Sequence, residues 1–449
     1  GPTADIDFSV LDKFVLQAQN KGFTTLTIAL KSHSNWASQH LGWFGQKSAA
    51  PKPEYEHLYS EWIRAVVERY DFDGVDDMDG LRWSVNYIEI GSELSTYEPE
   101  PIDDYIHMLS IAYSAAHQAS DTVLVAHAAF LITPVDLNVA NPSDLAEYET
   151  AWANTVVHDD THGIYSQRAV MDHPELFDVI NVHNLGYPYE IEHIKQWLDT
   201  ETADRGYAGT KDIIISDTIP TSYIAWGPAD TCTGSPQGIL LLPAETQSDR
   251  CDLASFFTQL IAADPATLEW TRAFVAADHV QRTVIAAEQG FKMINLSFTT
   301  DLWWLKLPGM HAGAGISAWA GAIKINLWGG LQQKYPLFYA IKQLMGHLAG
   351  YDNIQRLDLQ DDQVRVYEVT KNGQSLWIGW RDPQSVLLPD DGTPTTQVQI
   401  WTASTGASVE EVITGAGQTT PVVTYLTATQ QGVVTLDLTH SPVYVVAVV

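Results

Sequence analysis

Glu93 and Asp217 are the two side chains around which the chemistry of this sequence organises itself. The first closes the run Val85-Asn86-Tyr87-Ile88-Glu89-Ile90-Gly91-Ser92-Glu93, and the second closes Ile213-Ile214-Ile215-Ser216-Asp217. Each run is apolar enough for a buried strand, and in a parallel α/β barrel the ends of such strands meet substrate. Two carboxyl groups facing one another across a sugar-sized gap can cleave a glycosidic bond: one protonates the leaving oxygen while the other attacks the anomeric carbon or activates water. A gap of about 5–5.5 Å serves direct attack, and one of about 6.5–9.5 Å admits a water. Glu89 lies four residues before Glu93, so strict strand alternation predicts both on one face, with Glu89 the buried neighbour.

Sugar rings present apolar C–H faces that stack on aromatic side chains. Trp36, in the run His33-Ser34-Asn35-Trp36 after the first visible strand, and Trp303 with Trp304 after the last barrel strand are the expected platforms. His33 and Asn35 are the polar groups beside the first of them. A different chemistry is suggested by Asp71-Phe72-Asp73-Gly74-Val75-Asp76-Asp77, where acids alternate around a glycine as in part of a calcium loop. Asp71, Asp73 and Asp77 are the expected ligands of a structural calcium ion; the bidentate Glu of a full loop is missing, and a solvated acidic turn is the competing reading. His158-Asp159-Asp160-Thr161-His162 also carries ligand types, packed too closely to converge on one ion from a loop. Cys232 and Cys251 lie in one polar stretch, open both to a single disulfide and to two free thiols, with no neighbouring cluster for zinc.

The elements that must hold these groups alternate in period. Leu11, Phe14, Val15 and Ala18 repeat at helical spacing up to Gly22, and Phe23 to Leu30 reads as a strand buried on both faces. The unit recurs, with helices marked by Leu58, Trp62, Ala65 and Val66 and by Tyr105, Leu109, Ala112 and Ala116. Strands are expected at 86–91, 122–128, 178–183, 212–217 and 291–297, with a helix starting near Arg272 before the last of them. A final helix starts with Pro336 in its first turn and ends at Gly350. From there the period is two, with strands expected at 364–370, 375–382, 397–402, 422–427, 433–439 and 443–449. The longest segments follow strand ends, the side on which a βα barrel builds its active site. The fold expected is α/β: a (β/α)8-type TIM barrel over residues 1–350, then an antiparallel β-sandwich over 351–449 that packs directly on the preceding helix.

The net charge of −31 over 449 residues argues against nucleic acid or an anionic membrane as partner, because phosphate binding runs on clustered Lys and Arg. No apolar run reaches the roughly 18 residues a membrane helix needs, so no membrane insertion is expected. No signal peptide is present, and Gly1-Pro2 reads as a protease scar, so secretion or display at a cell surface stays open and is the expected localisation.

Several of these positions resemble clan A of the glycoside hydrolases, above all family 39-like members, which carry a trailing β-sandwich. The stretch from Glu89 to Glu93 matches the strand that precedes the acid/base in that clan, with Ser92 in place of its Asn. Asp178, Val179, His183 and Tyr187 match the strand-six signature, and Glu68-Arg69-Tyr70 and the last helix match further marks. The resemblance implies that Glu93 is the acid/base, that Asp217 stands at the nucleophile position where the family has Glu, and that His183 and Tyr187 orient the second carboxylate. Ser92 stands where the family's amide binds the sugar 2-hydroxyl. The register also makes Phe23 to Leu30 the third strand of such a barrel, so that strands one and two find no place before Gly1. The function implied is hydrolysis of β-linked oligosaccharides or polysaccharides without a catalytic cofactor. The alternative is a catalytically impaired, glycan-binding barrel, for which Asp217 and Ser92 are the supporting features.

Overall fold

A computed structural model describes residues 5–39, 50–94, 101–132, 150–151, 164–219, 247–296, 299–301, 318–326, 328–382 and 387–448. Six strands form one sheet in the order β1 (Thr27–Leu30), β2 (Tyr87–Leu94), β3 (Leu124–Phe130), β4 (Val179–Asn184), β5 (Asp212–Thr218) and β6 (Met293–Leu296). The pairs from β1 through β4 are parallel. A doubly wound sheet reverses its strand order at a switch point, whereas this order follows the chain without reversal, as in one arc of a βα barrel. The structure is thus mixed α/β, with a parallel half-barrel sheet and further antiparallel sheets. The chain divides into two compact units, one comprising Gly1–Ile132, Asp160–His183 and Trp197–Ser216, the other Thr133–Asp159, Asn184–Gln196 and Asp217–Val449.

In the first unit the helices α1 (Ser9–Asn20), α2 (Glu56–Tyr70), α3 (Ile102–Ala119) and α4 (Tyr165–Met171) alternate with the strands. On α2 the buried residues Tyr59, Ile63, Val66, Val67 and Tyr70 recur at three- and four-residue steps, and α3 buries Tyr105, Met108, Leu109, Ala112, Ala115 and Ala116 in the same way. These stripes cover the sheet, which is why β3 and β4 are buried along nearly their whole length. The first strand is shorter than its sequence suggests. Phe23 lies outside it and is 59% exposed, and Ala29 within it is exposed as well, as befits a strand at the edge of its sheet.

Helix α5 (Glu190–Asp204) spans the division between the units. The second unit contains α6 (Gln247–Ile261), α7 (Pro265–Glu288), a hairpin of β7 (Ile323–Ile325) and β8 (Leu331–Lys334), and α8 (Pro336–Leu348). Helix α7 starts at Pro265, ahead of the expected Arg272, because Asp264 caps it: its Oδ2 accepts the Thr267 N–H at 2.9 Å, and Pro265 occupies the first turn. The remaining strands are β9 (Asn353–Arg356), β10 (Val364–Lys371), β11 (Gln374–Arg381), β12 (Thr396–Trp401), β13 (Gly406–Glu411), β14 (Val423–Thr427), β15 (Val433–Leu438) and β16 (Val443–Val448). They pair antiparallel as a six-stranded sheet, β14-β13-β16-β11-β10-β9, and a two-stranded one, β12-β15. Val366, Trp377, Val409 and Val445 of the larger sheet share a core with Val398, Ile400, Val434 and Leu438 of the smaller. That is a two-layer sandwich. Gln343 of α8 donates to Glu411 O and accepts from Ile413 N–H, both at 3.1 Å, so this β region does pack on the preceding helix.

Candidate functional site

Glu93 owes its position to an interruption in β2. The register with β3 passes from Ile90 opposite His127 to Glu93 opposite Ala129, so β2 carries one residue more than its partner between them. Gly91 sits in that bulge at φ +95°, a conformation that favours glycine. The alternation that would place Glu89 and Glu93 on one face is therefore broken between them. A bulge leaves ladder groups unmatched, and here Tyr105 of α3 reaches across: its hydroxyl donates to Ile90 O at 2.9 Å and accepts the Ala128 N–H at 2.6 Å.

Past the bulge, the Glu93 side chain is 7% exposed, and its Oε1 lies 2.8 Å from Nδ1 of His183 at the end of β4. The other ring nitrogen of His183, Nε2, lies 3.1 Å from Oγ of Ser216 on β5. A neutral imidazole with its hydrogen on Nδ1 donates to the carboxylate and accepts the serine O–H. One strand-end acid, one histidine and one serine are thus joined through a single ring, in the order Glu93, His183, Ser216. The serine was not singled out in the sequence. Its signal was its place just before Asp217, one residue short of the strand end.

Asp217 itself is half-buried, and Thr218 after it is buried. Thr218 Oγ1 donates to Asn184 O at 2.8 Å, so the residue following Asp217 is tied to the residue following His183. Both are held by Arg282 of α7, which is fully buried. Its Nη1 donates to Asn184 Oδ1 and, at 3.2 Å, to Thr218 Oγ1, and its Nη2 donates to Gly186 O at 2.5 Å. Asp278, one turn earlier, neutralises it through a 2.5 Å contact with Nε. Arg282 is a second group the sequence reading missed. An Asp and an Arg four residues apart inside the apolar run Phe274 to Ala286 are the mark of a buried pair.

The remaining expected residues separate into groups. Tyr187 is half-buried, its ring stacked on that of Tyr189 with centroids 5.2 Å apart. Ser92 is half-buried in the bulge. His33 and Trp36 line a cavity of about 620 Å³ together with Tyr55, Tyr59 and Trp62, and Trp36 meets Tyr55 edge-on at 4.9 Å. Asn35 is exposed and is not among the residues lining that cavity. Asp71, Asp73 and Asp77 come together, each offering an oxygen within 4.8 Å of the others. Burial, then the neighbouring Asp73, pushes the Asp71 carboxyl above its usual range. Trp303, Trp304, Cys232 and the His158–His162 run lie outside the described residues. Cys251 is disulfide-bonded. Among the described residues no helix is long and apolar enough to cross a membrane.

No family model and no curated protein matches the chain. Solved structures do. A glucosidase from Croceicoccus marinus is similar at 11% identity with a TM-score of 0.51, covering 100% of this chain and 84% of that one. A family 39 glycoside hydrolase from Bacteroides cellulosilyticus is similar at 13% identity and a TM-score of 0.49, covering 100% and 79%. A monomeric β-xylosidase from Caulobacter crescentus is similar at 12% identity and a TM-score of 0.48, covering 99% and 85%. The fold is one that glycoside hydrolases use, and likeness of fold does not by itself carry an activity.

Proposed function

We propose that the chain is a glycoside hydrolase acting on β-linked oligosaccharides or polysaccharides. The observation that carries this reading is the chain of contacts from Glu93 through His183 to Ser216, because it orders a strand-end carboxylate beside the residue that immediately precedes the second one. In the proposed reaction Glu93, in its acid form, gives its proton to the glycosidic oxygen as the bond to the anomeric carbon breaks. Asp217 attacks that carbon or takes a proton from the water that does, and His183 with Tyr187 orients the carboxylates. Paired-carboxylate hydrolysis needs no cofactor. Trp36, with His33 and Asn35 beside it, and Trp303 with Trp304 would serve as sugar platforms, and Ser92 would face the 2-hydroxyl. Residues 1–350 would form the catalytic-type domain and 351–449 the sandwich domain. The disulfide at Cys251 favours an oxidising compartment, so secretion or cell-surface display belongs to the same proposal.

The test is release of reducing sugar from a panel of β-linked oligosaccharides by the wild-type chain and by Glu93→Gln. Turnover by the first, reduced by about 10²–10⁴-fold in the second, supports the reading. Equal turnover by both would remove Glu93 from the reaction. The second reading, a glycan-binding barrel without turnover, is favoured by the shorter Asp217 and by Ser92, and binding to the same panel with no products would establish it.

A further inference from the structure

Outside this constellation, three acids gather in the turn between α2 and β2. Asp71, Asp73 and Asp77 each place one carboxylate oxygen within 4.8 Å of the others. Two oxygens that both ligate one calcium ion at about 2.3–2.6 Å can stand no more than about 5 Å apart, so the three fit a common ion. Two of the carboxylates are fixed by backbone amides. Asp77 accepts the Phe72 N–H at 2.9 Å and the Gly74 N–H at 2.8 Å on its two oxygens, and Asp73 Oδ1 accepts the Val75 N–H at 2.8 Å.

Asp71 is only 9% exposed; its carboxylate takes hydrogen bonds from Ser120 and from the Asp73 N–H, yet the atom Oδ1 is buried with no well-aligned partner among the described residues. A buried carboxylate oxygen left without a partner is costly, and buried polar atoms without one are rare enough to call for an explanation. Arg69, two residues before Asp71 in the chain, pairs with Asp12, its Nη2 2.6 Å from Oδ2.

We infer that the Asp71–Asp77 turn binds a hard divalent cation, calcium by the loop-like order of its acids and glycine, through Asp71, Asp73 and Asp77, with Asp71 Oδ1 as a ligand. The order of residues agrees in part, with Arg69 at the first position and Gly80 at the twelfth outside the match. Asp71, Asp73, Gly74 and Asp77 stand in the relation of the third, fifth, sixth and ninth positions of a calcium loop, where the sixth is the glycine of the sharp turn. Gly74 has φ +96°. The site lies before β2, at the end of the strand opposite to Glu93. On that face of a βα barrel, loops serve stability. Its occupant therefore secures the entry of β2, whose Val85 N–H donates to Tyr70 O at 2.8 Å just after the turn.

Calorimetric titration of the chelator-treated full chain with Ca²⁺, alongside thermal melts with and without the ion, tests this. The expected result is one strong site per chain, a melting temperature raised by several degrees at saturation, and an unchanged rate on any glycan the chain hydrolyses once saturated. Asp73→Asn keeps an acceptor for Val75 while removing one charge, and should weaken the site at least tenfold. Asp358→Asn, on an exposed turn of the same highly acidic chain, should leave it intact. Absence of a Ca²⁺-dependent shift, an equal shift in Asp73→Asn, or Mg²⁺ binding as tightly as Ca²⁺ would each overturn the assignment.

Discussion

His183 Nδ1 lies 2.8 Å from Glu93 Oε1, and the pair is almost sealed, with side-chain exposures of 6% and 7%. A buried carboxyl group is aimed by the side chains that hydrogen-bond to it, and here the His183 ring does so. His183→Ala is expected to fold and to lower kcat by about 10²-fold or more, since Glu93 loses the ring that aims it. His183→Gln, which can still donate to Glu93, should recover part of the rate. An unchanged kcat with an unchanged KM in the alanine variant would show that the contact is only structural.

Tyr105 gives a second handle on the same carboxylate from behind the sheet. Its hydroxyl stands in for the ladder bond that the bulge removes, joining Ile90 O to Ala128 N–H. Tyr105→Phe leaves both groups buried without that partner and should cost about 1–3 kcal/mol in urea denaturation. Because Glu93 sits three residues past Ile90, the substitution should also depress kcat with little change in KM. A variant as stable as the wild type would show that the bulge needs no such bridge.

How much of this was legible in the sequence follows from which signals are local. The strands at β2 to β5 were readable because Ile- and Val-rich runs buried on both faces have few other uses, and their order along the chain became their order in the sheet. The acid at the end of β2 was readable for the same reason, and the histidine at the end of β4 through the resemblance of Asp178, Val179, His183 and Tyr187 to the strand-six signature. The bulge at Gly91 was not, because one glycine in a strand does not announce a register shift, and the assumed common face of Glu89 and Glu93 failed with it. Strand β13, Gly-Ala-Ser-Val-Glu-Glu, lacks the alternation of its neighbours and takes its place through pairing with β14 and β16. Helix α7 was placed late because its cap, Asp264-Pro265, precedes the apolar run by a full turn or more. Ser216 and Arg282 escaped notice because their roles depend on partners 33 and 98 residues away in the chain.

Acid sensitivity can be predicted from histidines that the fold keeps neutral. His127 is fully buried; Nδ1 donates to Ala128 O at 2.7 Å, and Nε2 accepts the Asn181 N–H at 3.3 Å, so a second proton would meet a donor. Burial holds its pKa down at about 4, and the same cause lowers His279 and His440 to about 4. With an unfolded value of about 6.5, the unfolded chain takes up protons that the folded chain refuses between about pH 6.5 and 4. Folding stability therefore falls as the pH drops through that window, by on the order of 1 kcal/mol per pH unit for each such ring. His127→Gln should remove about one third of that contribution, read as a shallower loss of stability in urea between pH 6.5 and 5. A slope identical to the wild type would show that His127 takes up its proton in the folded state.

Arg282 and Asp278 form a buried pair whose other bonds run to Asn184, Gly186 and Thr218, so the pair both neutralises itself and fastens the segments that follow His183 and Asp217. Breaking a buried pair by removing one partner is costly, and Arg282→Met is expected to cost about 3–5 kcal/mol. The double variant Asp278→Asn with Arg282→Met removes both charges and should be more stable than Arg282→Met alone, because it no longer buries the Asp278 charge without Arg282. The two effects of the arginine then separate. Stability returns in the double variant, whereas the bonds to Asn184 and Thr218 do not, so kcat on a cleavable glycan should stay low. If the double variant regained both, Arg282 would act through charge balance alone; if Arg282→Met were within about 1 kcal/mol of wild type, the buried network would not be a determinant of this part of the fold.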